Sequence, residues 1–323
     1  MTENKKLASR LIDWTEGNDA LADLFAPNAT VHLAYPFETM EPAGYLNTVL
    51  GALRTSFPNL ERREVIRIAG QDADGADWVG VCGHWVGTFK APFLDIPPTR
   101  RAASVRFHDF FRIDGGRIVE TQALWDIPEL MMQAGVWPMA PSLGREWLVP
   151  GPMTQDGLTV AGDGAEALAV VGDMLTHLGK SDQGVDAMRL DAFWHSNCAW
   201  YGPAGIGTAR GIDGFRRHHQ IPFLNAMPDR VGDPAGGHFF AEGAYVGFTA
   251  WPGMHMTLSG DGWLGIPPNA QRLTMRSLDF WRVESGLIRE NWVLVDLLDV
   301  YAQLGVDVFA RMKELPGWTS GSA

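Results

Sequence analysis

The sequence predicts an α+β protein with two tandem domains, and three observations support this fold class. Residues 96–136 and 266–306 align without a gap at an offset of 170, and 15 of their 41 positions are identical. The length of 323 residues fits two domains of about 150 residues each. In both halves, helical patterns come first and strand patterns follow, which is typical of α+β domains. A repeat this long indicates a duplicated domain rather than a solenoid unit.

The first part of each half is helical, because apolar residues recur there at positions three and four apart. Glycine punctuates these segments and marks where helices begin and end. Three helices are therefore predicted in each half: 7–14, 21–25 and one after Gly44 in the first, and 167–178, 190–194 and one after Gly211 in the second.

The second part of each half reads as strands rich in β-branched and aromatic residues. The best-defined element is a hairpin of strands 104–113 and 117–126 around Asp114-Gly115-Gly116, matched in the second half by a turn at 284–286. A glycine at the third loop position favours a three-residue loop with a bulge. The predicted strands and closing helices are 76–86, 238–250, the two hairpins, and helices near 130–133 and 300–303 that end at Gly135 and Gly305.

Residues 137–164 are rich in proline and glycine and separate the two units. We expect a linker that packs against both domains, because it also contains Trp137 and Trp147. The predicted boundaries are 1–136 for the first domain, 137–164 for the linker and 165–316 for the second domain.

Composition limits the classes of partner. The formal net charge of −12 argues against a nucleic-acid or anionic-membrane surface. The N-terminus lacks the apolar core of a signal peptide, and Cys82 and Cys198 do not occupy equivalent repeat positions, so we expect a cytoplasmic protein without structural disulfides. Thirteen tryptophans and sixteen phenylalanines favour cavities lined by aromatic rings.

The repeated segment contains Ile-Pro-Pro, Phe-x-Arg, a glycine-containing turn, Glu, Asp and Gln-x-Gly in this order. This run resembles the SnoaL-like polyketide cyclases, which are small members of the nuclear-transport-factor-2-like (NTF2-like) superfamily. The resemblance is strong over the repeated segments and looser over the front of each half. It implies that each half is a cone of curved, mostly antiparallel sheet wrapped around helices, with a pocket in its mouth. Chemistry varies widely on this fold, so the resemblance transfers fold better than function.

Asp126 and Asp296 are the first candidates for catalysis. Each ends the last strand of its half, and in SnoaL-like cyclases the matching aspartate is the acid/base of an intramolecular aldol closure. A carboxyl group among apolar neighbours has a raised pKa and can accept a proton from an activated carbon. The alternative is that each aspartate caps the following helix, and one residue can do both.

The hairpin places further candidates beside these aspartates. With a three-residue loop, Arg112 faces Ile118 and His108 faces Gln122, so that Asp126 shares one sheet face with Glu120 and Arg106. Two arginines and two carboxylates on one face suit the binding of an enolate and the movement of a proton. The alternative is an ion-pair lattice on the convex side of the sheet. In the second copy this face contains Arg276, Arg282, Glu290, Trp292 and Asp296.

Histidines supply possible proton relays with the aspartates. His84 and His255 precede the two Ile-Pro-Pro sequences at nearly equal spacing, so we expect them in matching strands. His32 and its counterpart Tyr201 occupy positions where family members often have a polar pocket residue. The alternative for each histidine is a half-buried side chain bonded to backbone. We expect catalysis by Asp296, Glu290, His255, Asp126 and His84, and substrate binding by Tyr201, Trp200, His195, Arg276, Trp292, Tyr301, His32 and His108.

No metal and no cofactor is expected. His218 and His219 are adjacent and point about 100° apart on a helix, so they do not form a metal pair. Phosphate-binding loops and a G-x-S-x-G nucleophile motif are missing from the sequence. The glycine-rich stretch 202–207 has no following Lys-Ser and is interpreted as a loop over the pocket.

We therefore predict a cofactor-independent acid/base enzyme: a lyase, aldol-type cyclase or isomerase. Its expected substrate is a hydrophobic, aromatic, hydroxylated or carbonyl-bearing small molecule, and lyases of aromatic dimers are among the superfamily relatives. The second half is the better candidate because Asp296 and Glu290 have aromatic neighbours there. The alternative is a non-catalytic binder or scaffold. Fusion of two copies is expected to mimic a dimer internally, and it leaves a further homodimer open.

Overall fold

The computed structural model describes residues 2–15, 21–180, 184–233 and 236–315. It contains two sheets, one from each half of the chain, so the predicted α+β class with two tandem units is confirmed. Across the first sheet the strands lie in the order Glu38–Met40, Phe25–Leu33, Arg117–Trp125, Ala102–Asp114, Asp77–Thr88 and Glu61–Gln71. Across the second sheet the order is Gly237–Glu242, Tyr245–Thr257, Arg272–Glu284, Leu287–Val295, Trp194–Tyr201 and Thr208–Arg210, with Val231–Gly232 paired to Tyr245–Thr257. In each sheet, one pair of neighbouring strands is parallel and the other pairs are antiparallel.

The first half contains helices α1 (Thr2–Thr15), α2 (Pro42–Gly44), α3 (Gly51–Ser56) and α4 (Ile127–Gln133). A 3₁₀ turn covers Ala22–Leu24, and a π-helical segment, Tyr45–Leu50, joins α2 to α3. Its strands are β1 (Phe25–Leu33), β2 (Glu38–Met40), β3 (Glu61–Gln71), β4 (Asp77–Thr88), β5 (Ala102–Asp114) and β6 (Arg117–Trp125).

The second half contains helices α5 (Ala165–Leu178), α6 (Leu190–Phe193), α7 (Gly211–Phe215), α8 (Ile221–Ala226), α9 (Leu297–Gln303) and α10 (Val308–Lys313). A 3₁₀ turn covers Val185–Met188, and a π-helical segment, Arg216–Gln220, joins α7 to α8 at the place equivalent to the one in the first half. Its strands are β7 (Trp194–Tyr201), β8 (Thr208–Arg210), β9 (Val231–Gly232), β10 (Gly237–Glu242), β11 (Tyr245–Thr257), β12 (Arg272–Glu284) and β13 (Leu287–Val295).

Helical segments lie at the predicted places in both halves, but the segment 21–25 is only a 3₁₀ turn, and Phe25 begins β1. The segment 238–250 is not one strand, because a turn at Gly243, with φ of +55°, folds it into β10 and the start of β11. Strands β1, β7 and β3 are absent from the sequence-based prediction. The alternation of β3 is broken by a bulge between Glu64 and Ile66, which hides the period of two in the sequence.

The hairpin turn also differs from the prediction. Asp114 pairs with Arg117, so the loop has two residues, Gly115 and Gly116, both with positive φ, as a type I′ turn requires. The bulge lies one step inside the hairpin. The observed partner of Arg112 is therefore Glu120 rather than Ile118, but this shift of two positions leaves the predicted face unchanged.

Alternate residues of each sheet point to opposite sides, and both sides are buried. On one side, residues such as Phe107, Phe111 and Trp281 pack under the helices of their own half. We call the apolar space between each sheet and its own helices the first cone and the second cone. On the other side, the two sheets pack against each other, and the rings of Phe110 and Phe280 stack with centroids 4.8 Å apart.

Residues 137–164, all of them described, form turns and a single β-bridge between Arg145 and Thr208. The segment contacts both halves: Gly157 accepts a backbone hydrogen bond from Arg67, and Trp137 packs 6.2 Å from the ring of Tyr301. These contacts cover the outer strands β3 and β8, whose backbone groups are otherwise open at the sheet edges. Within the described ranges, no helix has the length and apolar character to cross a membrane.

Candidate functional site

The face predicted to carry chemistry lies between the two sheets, outside both cones. In the first half, the carboxylate of Asp126 accepts hydrogen bonds from the backbone N–H of Glu129 and from that of Ala204 in the second half. In the second half, Asp296 accepts from Asp299 in the same way and from Tyr35 of the first half, at 2.9 Å. Each aspartate is thus a buried helix cap that also binds the other half of the chain.

The arginines paired with these aspartates have the same double role. Arg106 lies 3.4 Å from Asp126 and donates to the backbone carbonyls of Tyr201, Gly202 and Val293 in the other half. Arg276 lies 3.1 Å from Asp296 and 2.7 Å from Glu38 of the first half. This pseudo-symmetric exchange explains why both copies keep arginine and aspartate at these positions. Burial raises the pKa of Asp296 to about 6, against the opposing effects of the Tyr35 N–H and Arg276.

Glu290 and its aromatic neighbours belong to the same inter-sheet face. The Glu290 carboxylate accepts from Arg282 at 2.6 Å, from the Tyr201 hydroxyl and from the backbone N–H of Met153 in the linker. The indole of Trp292 donates to the carbonyl of Pro150 and lies 5.3 Å from the Tyr201 ring. These side chains therefore fasten the linker to the second sheet.

The predicted histidines are dispersed. His84 and His255 lie in matching strands, as expected, but among the hydrogen bonds of the described residues neither reaches Asp126 or Asp296. Burial lowers the pKa of His84 to about 3, with Arg106 adding to the effect. The other placements are His255 near Asp233, His108 bonded to the carbonyl of Leu278, His32 to the Thr39 hydroxyl, and His195 to the backbone N–H of Asn197.

The cone interiors contain a different pair of equivalent aspartates, Asp109 and Asp279. In the first cone, Asp109 is fully buried and lies 2.7 Å from Nη1 of Arg62, whose Nε is bonded to Glu64. The Arg62 guanidinium lies 3.8 Å from the centroid of Phe107. Burial raises the pKa of Asp109, whereas Arg62 and the indole of Trp125 oppose that shift.

Asp279 has no such cation. Its side chain accepts a 2.6 Å hydrogen bond from the Ser277 hydroxyl, and no ion pair to it occurs among the described residues. Burial raises its pKa to about 7, with Ser277 and Asn291 opposing the shift. A carboxyl group with a pKa near neutrality can both accept and donate a proton under cellular conditions.

The strand pairing shows which residue of the second half stands at the position of Arg62. Arg62 pairs with Trp85, which pairs with Val105; in the second half the same positions across the sheet are Gly232, Met254 and Met275. Glycine therefore stands where the first cone has its arginine. Other equivalent positions also lose volume in the second cone: Met254 for Trp85, Ser277 for Phe107 and Val295 for Trp125.

Exposure agrees with these substitutions. On the inner face of β5, Phe107, Asp109 and Phe111 are 0% exposed, whereas the equivalent Ser277, Asp279 and Trp281 on β12 are 5%, 7% and 4% exposed. The first cone is thus closed around its ion pair, and the second cone is slightly open to solvent.

Aromatic side chains from β7, from the helical segment 216–226 and from the loop at 263 form a wall of the second cone. Trp200 stacks on His219 at 4.0 Å, and Phe223 packs 5.6 Å from both His219 and Trp263. Burial lowers the pKa of His219 to about 3, so this imidazole is neutral. Of the predicted binding residues, Trp200 and Tyr301 belong to this inner apolar cluster.

Outside this wall, an open groove of about 560 Å³ follows the outer surface of α7 and α8. Its residues Pro222 and Gly262 precede Phe223 and Trp263, so the groove lies beside the aromatic wall. The groove is lined by Asp213, Arg216, Arg217, Ile221, Pro222, Asn225, Asp261 and Gly262.

Sequence reasoning missed Asp279 as a site residue, although a signal for it existed. Asp109 and Asp279 are identical in the repeat, and their odd positions place them opposite to the face of Arg106 and Asp126. The hairpin alone did not show which face lines the cone, because the polar face of Arg106 is also buried, being covered by the other sheet. No group of three His, Cys, Asp or Glu side chains suited to a metal occurs in the part of the chain that the structure describes.

Comparison with known proteins identifies the family to which the chain belongs. The model of the SnoaL-like polyketide cyclase family matches residues 8–134 and 181–304. A search of curated proteins finds no match. Among solved structures, AclR from Streptomyces galilaeus is 18% identical, with 42% of this chain and 97% of AclR covered at a TM-score of 0.37. IdmH from Streptomyces antibioticus is 23% identical, with 41% and 98% covered at 0.36. TsrD from Streptomyces laurentii is 24% identical, with 43% and 97% covered at 0.34.

The two family matches begin and end close to the two units of the structure, and each includes one complete sheet. Together they cover more than half of the chain. The protein therefore belongs to the SnoaL-like polyketide cyclase family and contains two tandem NTF2-like domains.

Proposed function

We propose that this protein is a cofactor-independent acid/base enzyme of the cyclase, isomerase or lyase type, and that the reaction takes place in the second cone with Asp279 as the proton-transferring group. The observation that carries the proposal is a buried carboxyl group without a cation, whose pKa of about 7 suits proton transfer at neutral pH. The substrate is a hydrophobic small molecule with a carbonyl group and an acidic α-hydrogen.

The chemistry follows from the surroundings of Asp279. Its carboxylate accepts a proton from the carbon next to the substrate carbonyl, and the electron pair of the broken C–H bond forms an enolate. For cyclisation, this carbon attacks a second carbonyl and protonated Asp279 returns the proton to the new alkoxide. Isomerisation returns the proton to another carbon, and a lyase runs the aldol step in reverse. The Ser277 hydroxyl orients the carboxylate throughout.

The test measures α-proton exchange of 2-tetralone, a neutral bicyclic ketone, in D₂O by proton NMR. Wild-type protein is expected to accelerate the exchange, with a rate that rises with pH to a plateau and a midpoint near pH 7. Asp279→Asn keeps the shape of the side chain but removes the base, and we expect it to lower the rate by about 100- to 10,000-fold.

Asp296→Asn provides the matched comparison, because Asp296 is also a buried aspartate with a raised pKa but lies between the sheets. If exchange is lost in Asp296→Asn and kept in Asp279→Asn, the base belongs to the inter-sheet face. Binding of 2-tetralone without any exchange would favour the non-catalytic alternative and refute the proposal.

A further inference from the structure

The indole N–H of Trp281 is buried in the second cone without a hydrogen-bond partner among the described residues. Most buried N–H groups in proteins are paired, and an unpaired one is destabilising. Trp281 is 4% exposed and belongs to the inner apolar cluster, so its donor is held inside the cone rather than at the surface.

The Trp281 indole lies on the same strand as Asp279, so both groups can act on one substrate. Both residues lie on β12, two positions apart, and therefore point from the same face of the strand into the cone, about 7 Å apart at their Cα atoms. Phe248 pairs with Asp279 on the neighbouring strand, and its ring lies 6.4 Å from the Trp281 ring. A carboxylate base, a hydrogen-bond donor and an aromatic ring thus lie on the same side of two neighbouring strands.

The first cone lacks this combination. The residue equivalent to Trp281 is Phe111, which has no hydrogen-bond donor. The aspartate equivalent to Asp279 is Asp109, which is paired with Arg62. The free indole N–H and the cation-free carboxyl group therefore occur together in the second copy.

We infer that the Trp281 indole N–H binds the carbonyl oxygen of the substrate in the second cone, and that the cone selects neutral ketones over carboxylates. This inference rests on the proposed function, because Asp279 supplies the base. As the α C–H bond breaks, its proton passes to the Asp279 carboxylate and its electron pair forms the C=C bond of the enolate. The carbonyl π electrons move to the oxygen, where the Trp281 N–H stabilises the charge that develops.

Selectivity follows from the charges. No ion pair to Asp279 occurs in the described part of the chain, and burial raises its pKa. An anionic ligand beside Asp279 would meet the ionised carboxylate, and the cation at the aromatic wall, Arg230, lies over Phe223 and donates to the Leu178 carbonyl rather than pairing with Asp279. A neutral carbonyl needs one donor, which Trp281 provides.

The test compares Trp281→Phe, which removes the N–H and keeps an aromatic ring, with Trp194→Phe. Trp194 is a suitable control because its indole is also buried and unpaired among the described residues, but it lies on β7, two strands away from β12. At saturating 2-tetralone, we expect Trp281→Phe to slow the exchange by about 100-fold with an unchanged pH midpoint, and Trp194→Phe to retain the wild-type rate.

A second readout does not depend on turnover. Infrared spectra of 2-tetralone labelled with ¹³C at the carbonyl are recorded in Asp279→Asn protein, with and without Trp281→Phe. A hydrogen bond lowers the carbonyl stretching frequency, so we expect a downward shift that disappears in the double variant. The same shift in both proteins would overturn the role of Trp281, even if Asp279→Asn abolishes exchange. Tighter binding of 2-naphthoate than of 2-tetralone would overturn the selectivity.

Discussion

The two cones of this protein share one sequence pattern, but their equivalent buried aspartates, Asp109 and Asp279, have different surroundings. Asp109 is paired with Arg62 in a closed interior. In the second cone, Gly232 stands at the position equivalent to Arg62, and the pKa of Asp279 is about 7. The ion pair with Arg62 makes Asp109 part of the buried core. Asp279 has no such partner among the described residues, so its carboxyl group can titrate. The comparison shows that equivalent aspartates in a duplicated domain can have different electrostatic surroundings.

The largest effect is expected in the first cone. Arg62→Met leaves Asp109 buried without its cation and leaves Glu64 with Arg67 as its ion-pair partner, which is expected to lower the free energy of unfolding by about 3–5 kcal/mol. Urea unfolding followed by circular dichroism measures the change. The double variant Arg62→Met/Asp109→Asn removes one uncompensated charge and should recover part of the loss. If Arg62→Met is as stable as the wild type, the ion pair does not hold the first cone together.

In the second cone, stability should depend on pH through Asp279. Its folded pKa of about 7 lies above the ordinary value of 3.8, so the folded state holds this proton more tightly than the unfolded state. The contribution of the group is complete below pH 3.8 and is lost as pH rises towards 7, on the order of 4 kcal/mol in total. Asp279→Asn is expected to remove this decline and to be more stable than wild type at pH 8. Parallel curves for the two proteins between pH 5 and 8 would contradict a raised pKa.

Gly232→Arg transfers the cation of the first cone to the second. Among the described residues, no atom lies within 4 Å of a Cβ built at Gly232, so a side chain can be added there without a clash at Cβ. We expect the pKa of Asp279 to fall by about 1–3 units, and the pH midpoint of exchange to move down with it. Gly232→Met, which has a long side chain without charge, is the control. An unchanged midpoint in Gly232→Arg would show that the arginine is not what distinguishes the cones.

The smallest effect concerns the hydroxyl beside Asp279. Ser277→Ala removes a hydrogen bond that stabilises the ionised carboxylate, so the pKa of Asp279 should rise, by about 1 unit for a bond worth 0.5–1.5 kcal/mol. NMR titration of labelled aspartate carboxyl carbons measures the shift. Phe107→Ala at the equivalent position in the first cone is a control that should leave Asp279 unaffected.

Some features of the fold could be predicted from local patterns. The helix caps at Asp126 and Asp296, which were the alternative to a catalytic role, and the glycine that ends each closing helix depend on nearest neighbours along the chain, and both features are present. The face shared by Arg106 and Asp126 is also correct, because the error in hairpin register is an even number of residues. Period-two alternation depends only on parity.

The function of that face could not be predicted in the same way. Arg106 and Asp126 bind backbone groups of residues 201–204, which are far away in the sequence and carry no side-chain signature of the contact. The face of β5 that carries Arg106 is polar in sequence, and a polar face suggests contact with solvent or a substrate; its burial against the other sheet becomes visible only in the folded protein. The sequence does not reveal that Asp279 lacks a neighbouring cation, because Gly232, the residue equivalent to Arg62, lies on a two-residue strand after a loop.

The sequence by itself determined the duplication, the α+β order of elements in each half and the equivalence of residues 170 positions apart, because these depend on periodicity and identity along the chain. Only the tertiary structure decided which sheet face lies inside each cone, which carboxyl groups are compensated by a cation, and that the repeated Arg–Asp pairs join the two halves. These properties depend on burial and on contacts between distant segments, and pKa values respond to that environment rather than to the residue type alone.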